Sequence, residues 1–123
     1  MNLLIISNCN DTHLVKCAVL RSKFSPLNIL GVRHDGVVEN YALEEGLPFI
    51  LHEKKGKGKV HRMARDTAIV KAANAMIAVI NQTDGALAPT IATEEYLMKR
   101  MLGANKPVFV SRPGILSTER KNY

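Results

Sequence analysis

Ala75-Met-Ile-Ala-Val-Ile80 runs into Asn81-Gln-Thr-Asp-Gly85, then into Thr90-Ile-Ala-Thr-Glu-Glu-Tyr96, and closes on Gly103-Ala-Asn-Lys-Pro-Val-Phe-Val110. An apolar run of this length, bounded by turn residues, reads as a strand buried on both faces. The polar turn reads as a loop. The Thr- and Glu-bearing stretch reads as a helix, with Leu97, Met98, Met101 and Leu102 as its apolar face and Gly103 as its stop. Lys106-Pro107 then enters a last strand, 108–110. Thr90 or Thr93 is expected to cap the helix. In an open parallel sheet, ligands bind outside the carboxyl ends of the strands, where loops meet helix N-termini. The rest of the chain is read as the other half of such a site.

Residues 2–7 form a short apolar run with a polar end, followed by Ser7-Asn-Cys-Asn-Asp11. Asp11 or Thr12 is placed to cap a helix whose face is Leu14, Val15, Ala18 and Val19. Asn28-Ile-Leu-Gly-Val32 is a second strand and Arg33-His34-Asp35-Gly36 its exit. Asp35 sits at an N-cap position ahead of Val37, Val38, Tyr41 and Ala42, and Gly46 sits where a C′ glycine belongs. Pro48 to Leu51 is a third strand.

The segment 53–59, EKKGKGK, is basic and glycine-rich, hence an exposed loop, and a candidate lid over an anionic ligand. It is no P-loop, because Val60 follows Lys59 where Ser or Thr is required. Residues 60–74 read as a helix with Met63, Ala64, Thr67, Ala68 and Val70 available for packing. Arg62, Arg65 and Asp66 fall in its first turns. Basic residues there oppose the helix dipole unless an anion is near.

Strands alternate with helices throughout. The expected fold is therefore α/β: one Rossmann-like domain over 1–110, with a five-stranded parallel sheet in the order 3-2-1-4-5 and helices on both faces. Residues 111–123 are expected to be a tail or an oligomer contact.

A chain of 123 residues with 46% hydrophobic and 23% charged residues is long enough for one core and has an ordinary globular composition. Its apolar runs are far shorter than the ~20 residues of a membrane span. Leu3-Leu4-Ile5-Ile6 lacks the length and basic flank of a signal peptide. Cys9 and Cys17 form no CxxC pair, which points to reduced thiols and a cytoplasmic protein. His13, His34, His52 and His61 are scattered, so neither a metal nor another cofactor is expected. The net charge of +6 favours an anionic partner: a nucleotide, a polynucleotide or a charged metabolite.

With the 3-2-1-4-5 order, residues 7–10, 33–35, 81–93 and the Arg62/Arg65 helix converge. Arg33, Arg62 and Arg65 are candidate phosphate contacts. Ser7, Asn8, Thr90 and Thr93 are candidate neutral donors. Asp35, Asp66, Asp84 and Glu94 are candidate ribose contacts, each with a cap or surface charge as its competing role and Asp35 with the N-cap above all.

Three stretches in order then resemble one family. They are Gly31-Val-Arg-His-Asp35 with Tyr41-Ala42 and Glu45-Gly46; Gly58-Lys59 with Arg65-Asp66 and 72–80; and Asp84-Gly85 with Thr90 or Thr93, Glu94/Glu95, Gly103 and Lys106-Pro107-Val108. Together they are similar to the SLOG superfamily. This Rossmann-like group includes the LOG (lonely guy) phosphoribohydrolases, the DNA-processing protein A family and small stand-alone YspA-like proteins.

The resemblance implies a nucleotide-derivative pocket at the strand ends and a homo-oligomer, in a sensor, sequestering protein or regulator. The LOG run PGGxGTxxE is replaced here by Asp84-Gly-Ala-Leu-Ala-Pro-Thr90-Ile-Ala-Thr-Glu94. The phosphate-side glycines are absent and the Thr-to-Glu spacing is off by one. Binding is thereby favoured over hydrolysis. The enzymatic alternative is an N-glycosidase, phosphoribohydrolase or deoxyribosyltransferase using Glu94 or Glu95. Polynucleotide binding is a third reading, and the scarcity of aromatic residues argues against it.

Overall fold

The computed structural model describes residues 1–80 and 89–112, with 89–94 described by backbone alone. The elements run β1 (Asn2–Ser7), α1 (Thr12–Ser22), β2 (Asn28–Gly31), α2 (Gly36–Glu44), β3 (Phe49–Leu51), α3 (Lys59–Ala72), β4 (Ala75–Val79), α4 (Pro89–Gly103) and β5 (Val108–Ser111). All strand pairs are parallel and the sheet order is β3-β2-β1-β4-β5. This is the doubly wound α/β architecture expected from the strand–helix alternation.

The alternation of side chains along β1 and β4 makes two cores. Leu3, Ile5, Ile29, Ala75, Ile77 and Val79 face Val15, Ala18 and Val19 of α1 and Val38, Tyr41 and Ala42 of α2. Leu4, Ile6, Leu30, Met76 and Ala78 face Ile69 and Val70 of α3 and Leu97 and Met101 of α4. Because β1 and β4 are covered on both sides, nearly every residue in them is apolar.

Local chemistry fixes the helix ends. Asp11 accepts from the His13 N–H and caps α1. Asp35 accepts from the Val37 and Val38 N–H groups and caps α2. At the other end of α2, Gly46 has φ +67°. The Gly46 N–H donates to the Leu43 carbonyl and the Leu47 N–H to the Ala42 carbonyl, the paired bonds of a Schellman stop. Lys106 Nζ donates to the Val70 and Lys71 carbonyls, satisfying the carboxyl end of α3.

Three expectations are corrected. The buried face of α3 is Asp66, Ile69 and Val70, while Met63, Ala64, Thr67 and Ala68 are exposed. Leu102 is exposed as well: among the described side chains of α4, Leu97 and Met101 are buried and Met98 packs partly buried beside them. Finally, α4 starts at Pro89, so Thr90 and Thr93 lie inside the helix and neither is its cap. Proline suits that first position, having no N–H to leave unpaired.

Candidate functional site

In a parallel sheet all strands end on one edge, so the exits of β1, β2 and β3 lie side by side. Two open grooves run along that edge. One, of about 390 Å³, is lined by Ser7, Asn8, Cys9 and Asn10 after β1 and by Arg33 to Val37 after β2. The other, of about 450 Å³, is lined by Val32, Arg33, His34 and Leu51, by Glu53 to Lys57, and by Arg65. Arg33 and His34 belong to both and form the wall between them.

The two grooves differ in chemistry. In the first, Arg33 is balanced by Asp35, and the amides of Asn8 and Asn10 supply most of the remaining polar surface. Its floor is tied down: the Ser7 hydroxyl lies 2.9 Å from Cys9 Sγ and accepts from the Cys9 N–H at 3.1 Å. Ser7 thus shapes the turn that presents Asn8 and Asn10. The second groove carries Lys54, Lys55 and Lys57 against the single acid Glu53. An anion entering it meets converging positive charge.

Arg33 and Arg65 play different parts. Arg33 Nη2 donates to the Ser7 carbonyl at 3.5 Å, which links the β2 exit to the end of β1. Arg65 is held more firmly. Its Nη2 lies 2.8 Å from Asp66 Oδ1 and its Nε 2.9 Å, and Nη1 reaches the Val32 carbonyl at 3.5 Å. The two side chains are 9% and 1% exposed, so this is a buried ion pair that joins α3 to the end of β2. His34 reaches across the mouth, with Nδ1 at 3.1 Å from Glu39 of α2 and Nε2 at 3.7 Å from Glu53.

The helix starts at this edge are not equivalent. The N-termini of α1 and α2 are occupied by Asp11 and Asp35. That of α3 begins after Gly58, at φ +102°, with no side-chain cap and no acid in its first turn. A conformation of this kind is one that glycine adopts without strain.

Of the residues expected at the site, Ser7, Asn8, Arg33, Asp35 and Arg65 are brought together. Asp35 is engaged as the α2 cap. Arg62 is exposed on α3 and lines neither groove. Glu95 is exposed on α4 and lines neither groove. Asp84 lies outside the described residues, as do the side chains of Thr90, Thr93 and Glu94. The bridging of His34 to Glu39 and Glu53 had no signal in the sequence, since it joins three elements at irregular spacing. Among the described residues no group of three or more His, Cys, Asp or Glu side chains is placed to hold a metal ion, and no helix is long and apolar enough to cross a membrane.

The fold and the paired grooves define a Rossmann-like α/β domain with a basic site at its carboxyl edge. No family model, no curated protein and no solved structure matches the chain.

Proposed function

We propose that the protein binds a nucleotide or nucleotide-derived small molecule at the carboxyl ends of its strands, acting as a sensor, sequestering protein or regulator. The observation that carries this reading is the junction of an amide-lined groove with a lysine-lined one at Arg33 and His34. A nucleotide has the same two halves. The base and sugar take the amides of Asn8 and Asn10, and the phosphates take Lys54, Lys55 and Lys57, with Arg33 between them. The uncapped start of α3 adds a favourable dipole on the phosphate side. The resemblance to the SLOG superfamily supports the same ligand class. Arg65 contributes by holding the groove wall through Asp66 and Val32.

Native mass spectrometry of the purified protein, followed by denaturation and analysis of any released small molecule, tests this reading. A released nucleotide, or uptake of one from an added mixture of ribonucleoside mono- and triphosphates, is the expected result. Turnover of a nucleoside monophosphate that Glu94→Gln abolishes with binding kept would move the protein to the N-glycosidase class. Binding of oligonucleotides much tighter than mononucleotides at physiological salt would move it to the polynucleotide class.

A further inference from the structure

The face of α3 turned away from the sheet carries exposed apolar side chains. Val60 is 77% exposed and Met63 45%, and Ala64, Thr67 and Ala68 are exposed beside them. Their spacing of three and four residues makes one continuous stripe along the helix. Beside it, α3 and α4 enclose a groove of about 510 Å³ lined by Val70, Tyr96, Lys99, Arg100, Gly103 and Ala104. Arg100 spans that groove: Nη2 donates to Thr67 Oγ1 at 2.9 Å and Nη1 to Tyr96 Oη at 3.2 Å, and its guanidinium lies 5.8 Å from the Tyr96 ring centre. A Cβ added at Gly103 meets nothing within 4 Å, so the groove is open to an incoming side chain.

Charge decides what the face takes. Apart from the buried Arg65–Asp66 pair, α3 carries Lys59, Arg62 and Lys71, and the described side chains of α4 add Lys99 and Arg100 against the one exposed acid Glu95. The charged residues lining the groove are Lys99 and Arg100, both basic. A second copy docked here about a two-fold axis would set these cations against themselves. Residues 113–123 hold Glu119 against Arg120 and Lys121, so the chain's own C-terminal stretch offers no excess of acid. An apolar stripe with a basic rim fits an amphipathic helix whose apolar residues recur every three to four positions and whose flanks are acidic.

We infer that the α3–α4 face is a docking surface for an acidic amphipathic helix of another protein. The apolar side of that helix lies along Val60, Met63 and Thr67 and enters the groove at Gly103. Its carboxylates meet Lys71, Lys99 and Arg100. Met63 supplies an adaptable contact, as methionine does at helix-binding surfaces. The surface is separate from the nucleotide grooves, which share none of the residues lining it. It therefore gives the protein a partner whether or not a nucleotide is bound.

The test uses a fluorescein-labelled synthetic peptide of about 18 residues, long enough to populate a helix, with leucines at that spacing and glutamates on its flanks. A matched peptide has lysine for each glutamate. Fluorescence anisotropy against the full chain is expected to show saturable binding of the acidic peptide and none of the basic one. Val60→Gln with Met63→Gln should weaken binding by roughly tenfold or more, and Lys71→Glu with Lys99→Glu should do the same. All four positions are exposed, so folding is retained, and circular dichroism verifies it.

Equal binding of both peptides, no binding of the acidic one, or indifference to Val60→Gln with Met63→Gln would overturn the proposal. So would loss of binding on reversing Lys54, Lys55 and Lys57 instead, which would seat the peptide on the nucleotide groove. Self-association in sedimentation that Val60→Gln with Met63→Gln abolishes would overturn it too, by making the face a contact between copies.

Discussion

Replacing Arg65 by Met is expected to be among the most destabilising single changes at the groove. Asp66 is 1% exposed and its Oδ1 takes both guanidinium contacts, at 2.8 and 2.9 Å. Removing the cation leaves a carboxylate in the interior with no charge to balance it. Breaking a buried pair from one side costs about 3–5 kcal/mol, a large part of the roughly 5–15 kcal/mol that holds a domain together. Asp66→Leu should cost less, because Arg65 stands at the groove wall and its guanidinium can move toward water. The double change Arg65→Met with Asp66→Leu replaces the pair by apolar volume and should restore most of the loss. The double-mutant cycle should therefore give a coupling of about 3 kcal/mol, the upper end for neighbours in one network. Urea unfolding reads it directly. With slopes of about 1–3 kcal/mol/M, the Arg65→Met midpoint should fall by about 1–3 M or more, and the double variant should recover. Additive losses, with coupling below about 0.5 kcal/mol, would refute the view that these side chains act as one buried unit.

Other consequences follow from single contacts. Asp35→Ala removes the acceptor of two N–H groups at the start of α2 and should cost about 1 kcal/mol in urea unfolding. Burial, and then the Glu45 carboxylate, push the Tyr41 phenol above its ordinary value. Its neutral form is thus favoured in the fold, and that contribution is complete below the unfolded value of about 10 and is lost as pH rises beyond it. Unfolding midpoints taken from pH 8 to 11 should accordingly fall less steeply for Tyr41→Phe than for the parent. Reversing Lys54, Lys55 and Lys57 to Glu should weaken nucleotide binding by roughly threefold to a hundredfold at low salt, given ~0.2–1 kcal/mol for each exposed charge contact, and the loss should shrink as salt is added.

The fold was legible because its signals are local and repeated. Uninterrupted apolar runs in β1 and β4 mark strands covered on both faces, and Asp35 and Gly46 mark both ends of α2. The face of α3 was not legible. Met63, Ala64, Thr67 and Ala68 form one arc, and Asp66, Ile69 and Val70 another. A carboxylate in the second arc argues against burial unless it is paired, and the pairing with Arg65 arises from packing against the β2 exit. Arg65 shows its charge in the sequence but not its partner: it lines the basic groove, as a ligand contact would, while its pairing with Asp66 appears only in the fold. The meeting of the β1 and β2 exits was readable from topology, whereas the place of the lysine segment beside Arg33 and the His34 contacts to Glu39 and Glu53 depend on loop geometry that no periodicity encodes. The start of α4 was misplaced because threonine is a strong cap signal, and Pro89 at the first helical position overrides it.

Under the proposed function, a phosphate-bearing ligand sits where the two grooves meet. Two-dimensional amide NMR, recorded while a mixture of common ribonucleoside mono- and triphosphates is titrated into the labelled protein, tests it most directly. The expected result is saturable shifts at residues 8–10, 33–37 and 53–58, absent or greatly weakened in Arg33→Ala, with residues 96–104 unchanged. Saturable shifts confined to residues outside those segments, or no shifts at millimolar nucleotide, would contradict it.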